Sequence, residues 1–368
     1  MAKPHVLLLV PNFQPHDAVG NDVLGMYETF RGAGYDTRIL AADIHPAYRS
    51  IAASIESEAG DLWLDPAAIL IYHHSIHWIL GERILRRSKN RIVIKYHNVT
   101  PPEFFAPYAE NYYRACVDGV EATKRLARLR IDFVWGASQY NADEFVRLGV
   151  PAKHCRAVPP IHRIEEIART PLDAVVTGTH RGAVPNILYV GAFRPHKGHF
   201  KALEVFAAYR RLGASPARLF FVGSFDPALD PYVKELEEYA RQLELDDYVA
   251  FSMSVSPAQL RSFYHAADVF LCVSEHEGFC VPLVEAMYFR TPIVAWASTA
   301  VGETCGDCGL IFDRFDAGSL AQALDRCLED PCLARRLATE GRLRYERMFH
   351  PDALRAGLLN VLEEVERS

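Results

Sequence analysis

Two carboxylates eight residues apart are the most informative chemical feature of this sequence. Glu277 and Glu285 lie in the segment SEHEGFCVPLVEAMYFRTPIVA. Pro282 favours a helix start, because its missing N–H costs nothing in the first turn, and Glu285 is then expected in that turn. Gly278 lets the backbone come close to a ligand, and the N–H groups of residues 278–281 make an anion site at the helix start. The pattern therefore predicts a ligand that carries both phosphate and hydroxyl groups.

A pair of cations follows another predicted strand. Arg194 and Lys197 lie in NILYVGAFRPHKGHF, between an apolar strand and a helical stretch. Arg forks onto phosphate oxygens and Lys acts as a point charge. The alternative interpretation is that Arg194 and Lys197 are ordinary surface cations. Their place between a strand and a helix favours a phosphate-binding role.

The elements that must position these residues belong to an α/β protein. Short apolar runs such as HVLLLV alternate with amphipathic helical stretches, which is typical of parallel sheets covered on both faces. At 368 residues the chain is long enough for two domains. Prolines and glycines interrupt the pattern between the two halves. We therefore expect a Rossmann-like domain over 1–165, a linker over 166–185, a second Rossmann-like domain over 186–350 and a helix over 351–368.

Composition excludes several classes of protein. With 50% hydrophobic and 23% charged residues, the chain is neither disordered nor rich in membrane spans. The net charge of -6 argues against nucleic acid as the main partner. The eight cysteines have no regular spacing, so we expect free thiols in a reducing cytosol. Cys305 and Cys308 have C-x-x-C spacing, but no second Cys or His pair follows to complete a zinc site.

The glutamate segment resembles the E-x7-E signature of glycosyltransferase family four, whose members are retaining glycosyltransferases with the GT-B fold. That family typically has EGFG-x-P-x-x-EAM-x-x-G-x-P-V-x-A, and this chain has EGFCVPLVEAMYFRTPIVA. It departs at Cys280 and Arg290, where the family usually has Gly. The resemblance implies two parallel-sheet domains facing a central cleft, with the last helix returning to the first domain. It also implies that Glu285 binds the ribose hydroxyls and that Glu277 lies by the donor sugar and its phosphates.

The cation segment is similar to the family's V-G-R-x-x-x-x-KG sequence. The resemblance implies that Lys197 holds the donor diphosphate, while Ala192 stands where the family has Arg and Arg194 could supply that charge. It places His97, after a first-half strand, near the sugar. It also implies a wider set of donor-binding residues. These are Gly278, Phe279, Cys280, Val281, Gly20, Asn21, Gly223, Met253 and Ser254.

The activity implied is transfer of a hexose from a UDP- or GDP-sugar to an acceptor hydroxyl, in the synthesis of a cell-surface polysaccharide or glycolipid. No D-x-D sequence occurs, so no metal and no cofactor are expected. Three alternatives stay open: a sugar-nucleotide epimerase of the same fold, a non-catalytic carbohydrate-binding protein, and a dinucleotide-dependent oxidoreductase. The last predicts G-x-G-x-x-G after the first strand, where this chain has PNFQPHDAVGND.

Charge also differs between the halves. Residues 1–165 have 19 basic and 18 acidic residues, whereas residues 186–368 have 19 and 26. Aromatic residues in PPEFFAPYAENYY follow His97, and such residues suit a membrane interface. We therefore expect peripheral contact of the first half with the cytoplasmic face of a membrane, although solvated helix faces have the same composition. The basic clusters are Arg83, Arg86, Arg87, Lys89 and Arg91, and Lys124, Arg125, Arg128 and Arg130.

Overall fold

A computed structural model describes residues 3–15, 17–55, 64–180, 182 and 184–368. The strands are β1 Val6–Phe13, β2 Thr37–Ile44, β3 Ala52–Ser54, β4 Ile69–His74, β5 Arg91–Tyr96, β6 Phe133–Gly136, β7 Cys155–Ala157, β8 Asn186–Val190, β9 Arg218–Gly223, β10 Val249–Met253, β11 Val269–Cys272, β12 Ile293–Trp296 and β13 Leu310–Phe312. The helices are α1 Ala18–Gly32, α2 Ile79–Arg87, α3 Glu110–Leu126, α4 Gln139–Arg147, α5 Ile164–Arg169, α6 Ala174–His180, α7 His199–Arg211, α8 Asp230–Gln242, α9 Pro257–Ala266, α10 Val281–Phe289, α11 Val301–Cys305, α12 Ala317–Glu329, α13 Pro331–Arg344 and α14 Pro351–Arg367.

The first compact unit contains residues 1–102, 111–162 and 350–368. Its seven strands form a parallel sheet in the order β3-β2-β1-β4-β5-β6-β7. The central strands β1 and β4 are buried along nearly their whole length, because helices cover both faces of a parallel sheet. The last helix, α14, belongs to this unit and packs against α1, so the predicted return of the C-terminal helix to the first domain is confirmed.

The second unit contains residues 103–110 and 163–349. Its six strands form a parallel sheet in the order β10-β9-β8-β11-β12-β13. Leu203 and Phe206 of α7 and Leu320 and Leu324 of α12 are fully buried in its core. The predicted fold class, two Rossmann-like parallel-sheet domains, is confirmed.

The boundary between the units lies at residues 162 and 163. The segment 166–185, which the sequence predicts as a linker, contains α6 and the end of α5, and both helices belong to the second unit. Residues 181 and 183 of that segment lie outside the described part of the chain.

In both sheets the strand order reverses once. The reversal lies between β1 and β4 in the first sheet and between β8 and β11 in the second. Ligands of doubly wound sheets bind beyond the carboxyl ends of the strands at such a reversal. The loops after β1, β4, β8 and β11 are therefore the places at which the fold favours a site.

Side-chain caps fix the starts of several helices. Ser138 Oγ accepts a hydrogen bond from the N–H of Asn141 at the start of α4. Asp17 caps α1, and Ser256 forms a capping box with Gln259 at the start of α9. Such caps satisfy backbone donors that the first helical turn leaves unpaired.

None of the helices in the described ranges combines the length and apolar character that a membrane crossing requires.

Candidate active site

Lys197 and Glu277 form an ion pair at the strand-order reversal of the second sheet. Lys197 follows β8 and Glu277 follows β11, and these two strands are neighbours. Lys197 Nζ lies 2.8 Å from Glu277 Oε1 and 2.9 Å from Oε2. The Glu277 side chain is 9% exposed and that of Lys197 20%. The ammonium is thus anchored on one side and still accessible to a ligand.

Backbone hydrogen bonds hold the two loops together. The carbonyl oxygen of His196 accepts from the N–H groups of Glu275 and His276, at 2.9 and 3.2 Å. The N–H of Glu277 donates to Thr299 Oγ1 at 2.8 Å. Gly198 has φ +70°, and a Cβ there would lie 2.1 Å from the carbonyl oxygen of Val273, so only glycine fits. The position of Lys197 is therefore set by the backbone on both sides of the pair.

Glu285 is a buried carboxylate on α10. It is the fifth residue of that helix and so lies just past the first turn in which the sequence places it. Tyr264 Oη donates a hydrogen bond to Glu285 Oε2 at 2.7 Å. Burial raises the pKa of Glu285 to about 7, although the Tyr264 hydrogen bond acts in the opposite direction. Burial thus favours the protonated form of this group in the free protein, and hydroxyl donors from a ligand would favour the ionised one.

The two departures from the family sequence share one backbone conformation. Cys280 has φ +75° and precedes α10, and Arg290 has φ +60° and follows it. This left-handed region is the one that favours glycine. Glycine would therefore be favoured at both positions, and this chain adopts the left-handed backbone with two larger residues.

The rest of the predicted EGFC loop is buried or half-buried. Phe279 is 7% exposed and packs edge-on against Phe349, and its carbonyl oxygen accepts a hydrogen bond from Thr304 Oγ1. Gly278 is half-buried, and Val281 is the first residue of α10. The loop is thus held by side-chain packing before any ligand binds.

The remaining second-unit candidates lie at the carboxyl ends of β8, β9 and β10. Gly223 ends β9, and a Cβ there would lie 1.8 Å from the carbonyl oxygen of Gly191, so its identity follows from backbone packing. Met253 ends β10, and the N–H of the exposed Ser254 donates to the Gly223 carbonyl at 2.7 Å. A cavity of ≈ 260 Å³ lies beside this edge. Its lining is Ala192, Phe193, Arg194, Ser224, Phe225, Asp226 and Pro227.

The first-unit candidates lie at the other strand-order reversal. Gly20 and Asn21 are in the first turn and a half of α1, which follows β1. A Cβ at Gly20 would lie 2.2 Å from the carbonyl oxygen of Gln14, so the loop after β1 also requires glycine. The Gly20 N–H donates to Asp17 Oδ2 at 3.0 Å. This N–H is therefore already hydrogen-bonded to a carboxylate, and a donor phosphate would have to bind other N–H groups at the start of α1.

His97 belongs to a buried polar cluster that the sequence does not reveal. It follows β5, and its Nε2 lies 2.9 Å from Nδ1 of His73 on β4. Asp22 Oδ2 is 3.8 Å from His97 Nε2 and 3.6 Å from Lys95 Nζ. Burial raises the pKa of Asp22 and lowers those of Lys95, His73 and His97. The cluster therefore favours neutral histidines.

This cluster also has the geometry of a metal site. One ligand atom from each of Asp22, His73 and His97 lies within 4.8 Å of the others, which makes this the single such group among the described residues. The Lys95 ammonium at 3.6 Å from Asp22 Oδ2 would oppose a divalent cation at that oxygen. Cys305 and Cys308 do not belong to this group, and all eight cysteines are free thiols.

Sequence reasoning missed Tyr264, Thr299, His73, Asp22 and Lys95. Tyr264 and Thr299 act on Glu285 and Glu277 from other elements, so no local signal marks them. For His73 the sequence does contain a signal, since it lies at the carboxyl end of the otherwise apolar strand ILIYHH. Ligands bind at that end of parallel strands.

Comparison with solved structures supports the predicted GT-B fold class. The fold is similar to that of HepE from Anabaena in complex with UDP and glucose, with a TM-score of 0.73 at 16% identity, covering 98% of this chain and 100% of that one. It is also similar to sucrose-phosphate synthase from Thermosynechococcus elongatus, with a TM-score of 0.74 at 19% identity and 99% of both chains covered. At these identities the likeness concerns the fold alone.

The sequence comparisons concern mainly the second unit. Residues 178–344 match the family described as glycosyl transferases group 1, which agrees with the glycosyltransferase class that the sequence motifs predict. The chain is 28% identical over 321 residues to the D-inositol 3-phosphate glycosyltransferase of Acidothermus cellulolyticus, covering 79% of this chain and 66% of that protein. It is 33% identical over 131 residues to the MMP alpha-(1->4)-mannosyltransferase of Mycolicibacterium hassiacum, covering 35% and 32%. The matches thus span two thirds or less of these relatives.

Proposed function

We propose that this protein transfers a hexose from a nucleoside diphosphate sugar, UDP- or GDP-linked, to an acceptor hydroxyl with retention of the anomeric configuration. The observation that carries the proposal is the Lys197–Glu277 pair at the strand-order reversal, followed by Glu285 on the adjoining helix. This arrangement offers a fixed cation for a diphosphate and a carboxylate for vicinal hydroxyls. The family of residues 178–344 supports the same class of reaction.

Each group has a distinct task in this proposal. Negative charge on the leaving diphosphate grows as the sugar bond breaks, and Lys197 and Arg194 stabilise that charge. Glu277 keeps the Lys197 ammonium in place and orients the donor sugar. Glu285, ionised when the donor is bound, accepts hydrogen bonds from the ribose hydroxyls. His97 contacts the sugar, as the resemblance implies.

The proposal includes metal-independent turnover. No D-x-D sequence is present, and Lys197 and Arg194 supply positive charge where another enzyme would use a metal ion. Activity should persist in EDTA. Complete loss in EDTA that magnesium or manganese restores would contradict this part of the proposal.

The acceptor is proposed to be lipid-linked or a polysaccharide precursor at the inner face of a membrane. Arg83, Arg87 and Lys89 are exposed on and after α2, and Ile79 of the same helix is 58% exposed. An exposed apolar residue beside cations suits an anionic bilayer surface. Arg86 and Arg125 both bind Glu82, so these two members of the predicted basic clusters are partly neutralised.

A donor screen tests the function directly. Thermal unfolding is measured with a panel of UDP- and GDP-sugars, and the correct donor should raise the melting temperature by mass action. The product of the stabilising donor is then followed by NMR, which distinguishes retention from inversion. Conversion of the donor without any acceptor would instead indicate an epimerase. Stabilisation by a nicotinamide dinucleotide alone would reject the transferase assignment.

A further inference from the structure

A hydrogen-bonded pair of nearly coplanar histidine rings occupies the carboxyl ends of β4 and β5 in the first unit. His73 Nδ1 and His97 Nε2 are 2.9 Å apart, and the ring centroids are 5.2 Å apart with an angle of 18° between the planes. His73 has no exposed surface, whereas the His97 side chain is 7% exposed. Because Nε2 of His97 is hydrogen-bonded to His73, the ring nitrogen of His97 that remains for a ligand is Nδ1.

The 2.9 Å contact joins one ring nitrogen of each histidine, and burial favours the neutral form of both rings. Burial, together with a smaller effect of the nearby Lys95, lowers the pKa of His73 to about 3. Burial also lowers the pKa of His97 well below its usual value, with added effects from His73, Lys95 and His74. A neutral imidazole has one donor nitrogen and one acceptor nitrogen. Within the pair, one ring must therefore donate and the other accept.

An unpartnered atom decides which ring donates. His73 Nε2 is buried and has no hydrogen-bond partner among the described residues. A proton on Nε2 would be an orphaned buried donor, which is more costly than an unused acceptor. The proton of His73 therefore lies on Nδ1 and is donated to His97 Nε2. His97 must then carry its own proton on Nδ1.

Asp22 favours the opposite arrangement. Its Oδ2 lies 3.8 Å from His97 Nε2, which is beyond hydrogen-bond distance. The same oxygen lies 3.6 Å from Lys95 Nζ, whose charge offsets that of the carboxylate. The direct 2.9 Å contact between the rings therefore determines the tautomer.

We propose that His73 is a positioning residue that fixes His97 as the neutral Nδ1–H tautomer, so that His97 presents a hydrogen-bond donor to an oxygen of the bound sugar. The assignment of the sugar rests on the proposed function. The tautomer itself does not, since it follows from the unliganded geometry. In this role His97 neither removes nor supplies a proton during the reaction.

NMR of the ¹⁵N-histidine-labelled protein without donor tests the tautomer. Long-range ¹H–¹⁵N spectra distinguish protonated from unprotonated ring nitrogens, and His97→Gln assigns the signals. We expect a protonated Nδ1 and an unprotonated Nε2 for His97, and a mixture of tautomers in His73→Phe. A protonated Nε2 of His97 in the unaltered protein would overturn the proposal. So would stoichiometric Co²⁺ that broadens both histidine signals, because that result would indicate a metal site.

Turnover of two His73 variants tests whether the orientation of the His97 proton matters for the reaction. In His73→Asn the amide N–H can replace Nδ1–H as donor to His97, whereas His73→Leu offers no donor. We expect His73→Leu to lower kcat/KM about tenfold, the effect of one lost hydrogen bond, and His73→Asn to retain most activity. Equal loss in both variants, with circular dichroism showing both folded, would contradict the positioning role. A correct tautomer in a protein inactive with every donor would refute the proposed function alone.

Discussion

Glu285 is the buried carboxylate that we propose as the partner of the ribose hydroxyls. Its exposed fraction is 7%, and Tyr264 already donates to one of its oxygens. Glu285→Ala should weaken donor binding by about 1.5–3 kcal/mol, because a hydrogen bond to a charged group is lost. Calorimetry with the donor measures the effect, and Glu237→Ala on the exposed face of α8 is the control. Unchanged affinity would remove Glu285 from the ribose site.

The same residue makes folding stability depend on pH. The pKa of Glu285 is about 7 in the folded protein against 4.5 for the unperturbed group. The folded state therefore holds the proton more tightly, and ionisation costs stability as pH rises from about 4.5 through about 7. Glu285→Gln should raise the urea midpoint at pH 8 and change it little at pH 5. Glu237→Gln should show no such difference, and an equal effect of Glu285→Gln at both pH values would argue against a raised pKa.

The catalytic task that we propose for Lys197 can be separated from its ion pair with Glu277. Lys197→Ala should lower kcat at least as much as it weakens donor affinity, because charge on the diphosphate grows in the transition state. A variant with normal kcat and a raised KM alone would make Lys197 a simple binding residue. The substitution also leaves the buried Glu277 carboxylate unpaired. Adding Glu277→Gln should therefore restore part of the lost stability, but not the activity.

At the scale of elements, α10 ends on a residue whose backbone conformation suits glycine. Arg290 has φ +60°, and its N–H binds the carbonyl oxygens of Ala286 and Met287. Because Arg290 is exposed, Arg290→Gly removes the Cβ strain without opening a cavity. We expect a gain of about 1 kcal/mol in the free energy of unfolding.

Denaturant unfolding of the Arg290 variants checks this expectation. Arg290→Ala is the matched control, because it removes the side chain but keeps the Cβ. A gain that appears equally in Arg290→Ala would assign the effect to the charge and not to the backbone. Cys280 has φ +75° but is buried, and its Sγ lies 3.8 Å from that of Cys272. Glycine there would relieve the backbone but leave a cavity, so no gain is expected.

At the scale of the whole molecule, the basic surface of the first unit should bind anionic vesicles. Arg83, Arg87 and Lys89 are exposed, and each cation near the surface contributes about 1 kcal/mol. Changing all three to Glu should abolish co-sedimentation with vesicles of anionic lipid at low salt. The matched control changes Lys234, Arg241 and Arg336 of the second unit, whose side chains are 72%, 57% and 64% exposed. If the control variant loses co-sedimentation to the same extent, only the net charge of the protein matters. Full activity on a soluble acceptor, together with no vesicle binding, would contradict the membrane proposal.

The sequence alone determined the alternation of strands and helices, the class of fold and the loops that bear the charged residues. Apolar strands such as VLLLV in β1 are local patterns, and the segment around Glu277 and Glu285 is continuous. The three-residue strands β3, β7 and β13 were not predicted, because such short strands have no periodicity of their own and form only by pairing with a neighbour.

Tertiary structure decided which of these groups meet. Lys197 and Glu277 are 80 residues apart in sequence and become partners because β8 and β11 are adjacent in the sheet. His73 and His97 meet for the same reason on β4 and β5. Strand order depends on long-range packing of whole elements, which no local spacing encodes. The pKa of Glu285 likewise depends on burial and on Tyr264 from another helix, so its protonation could be derived only from the folded chain.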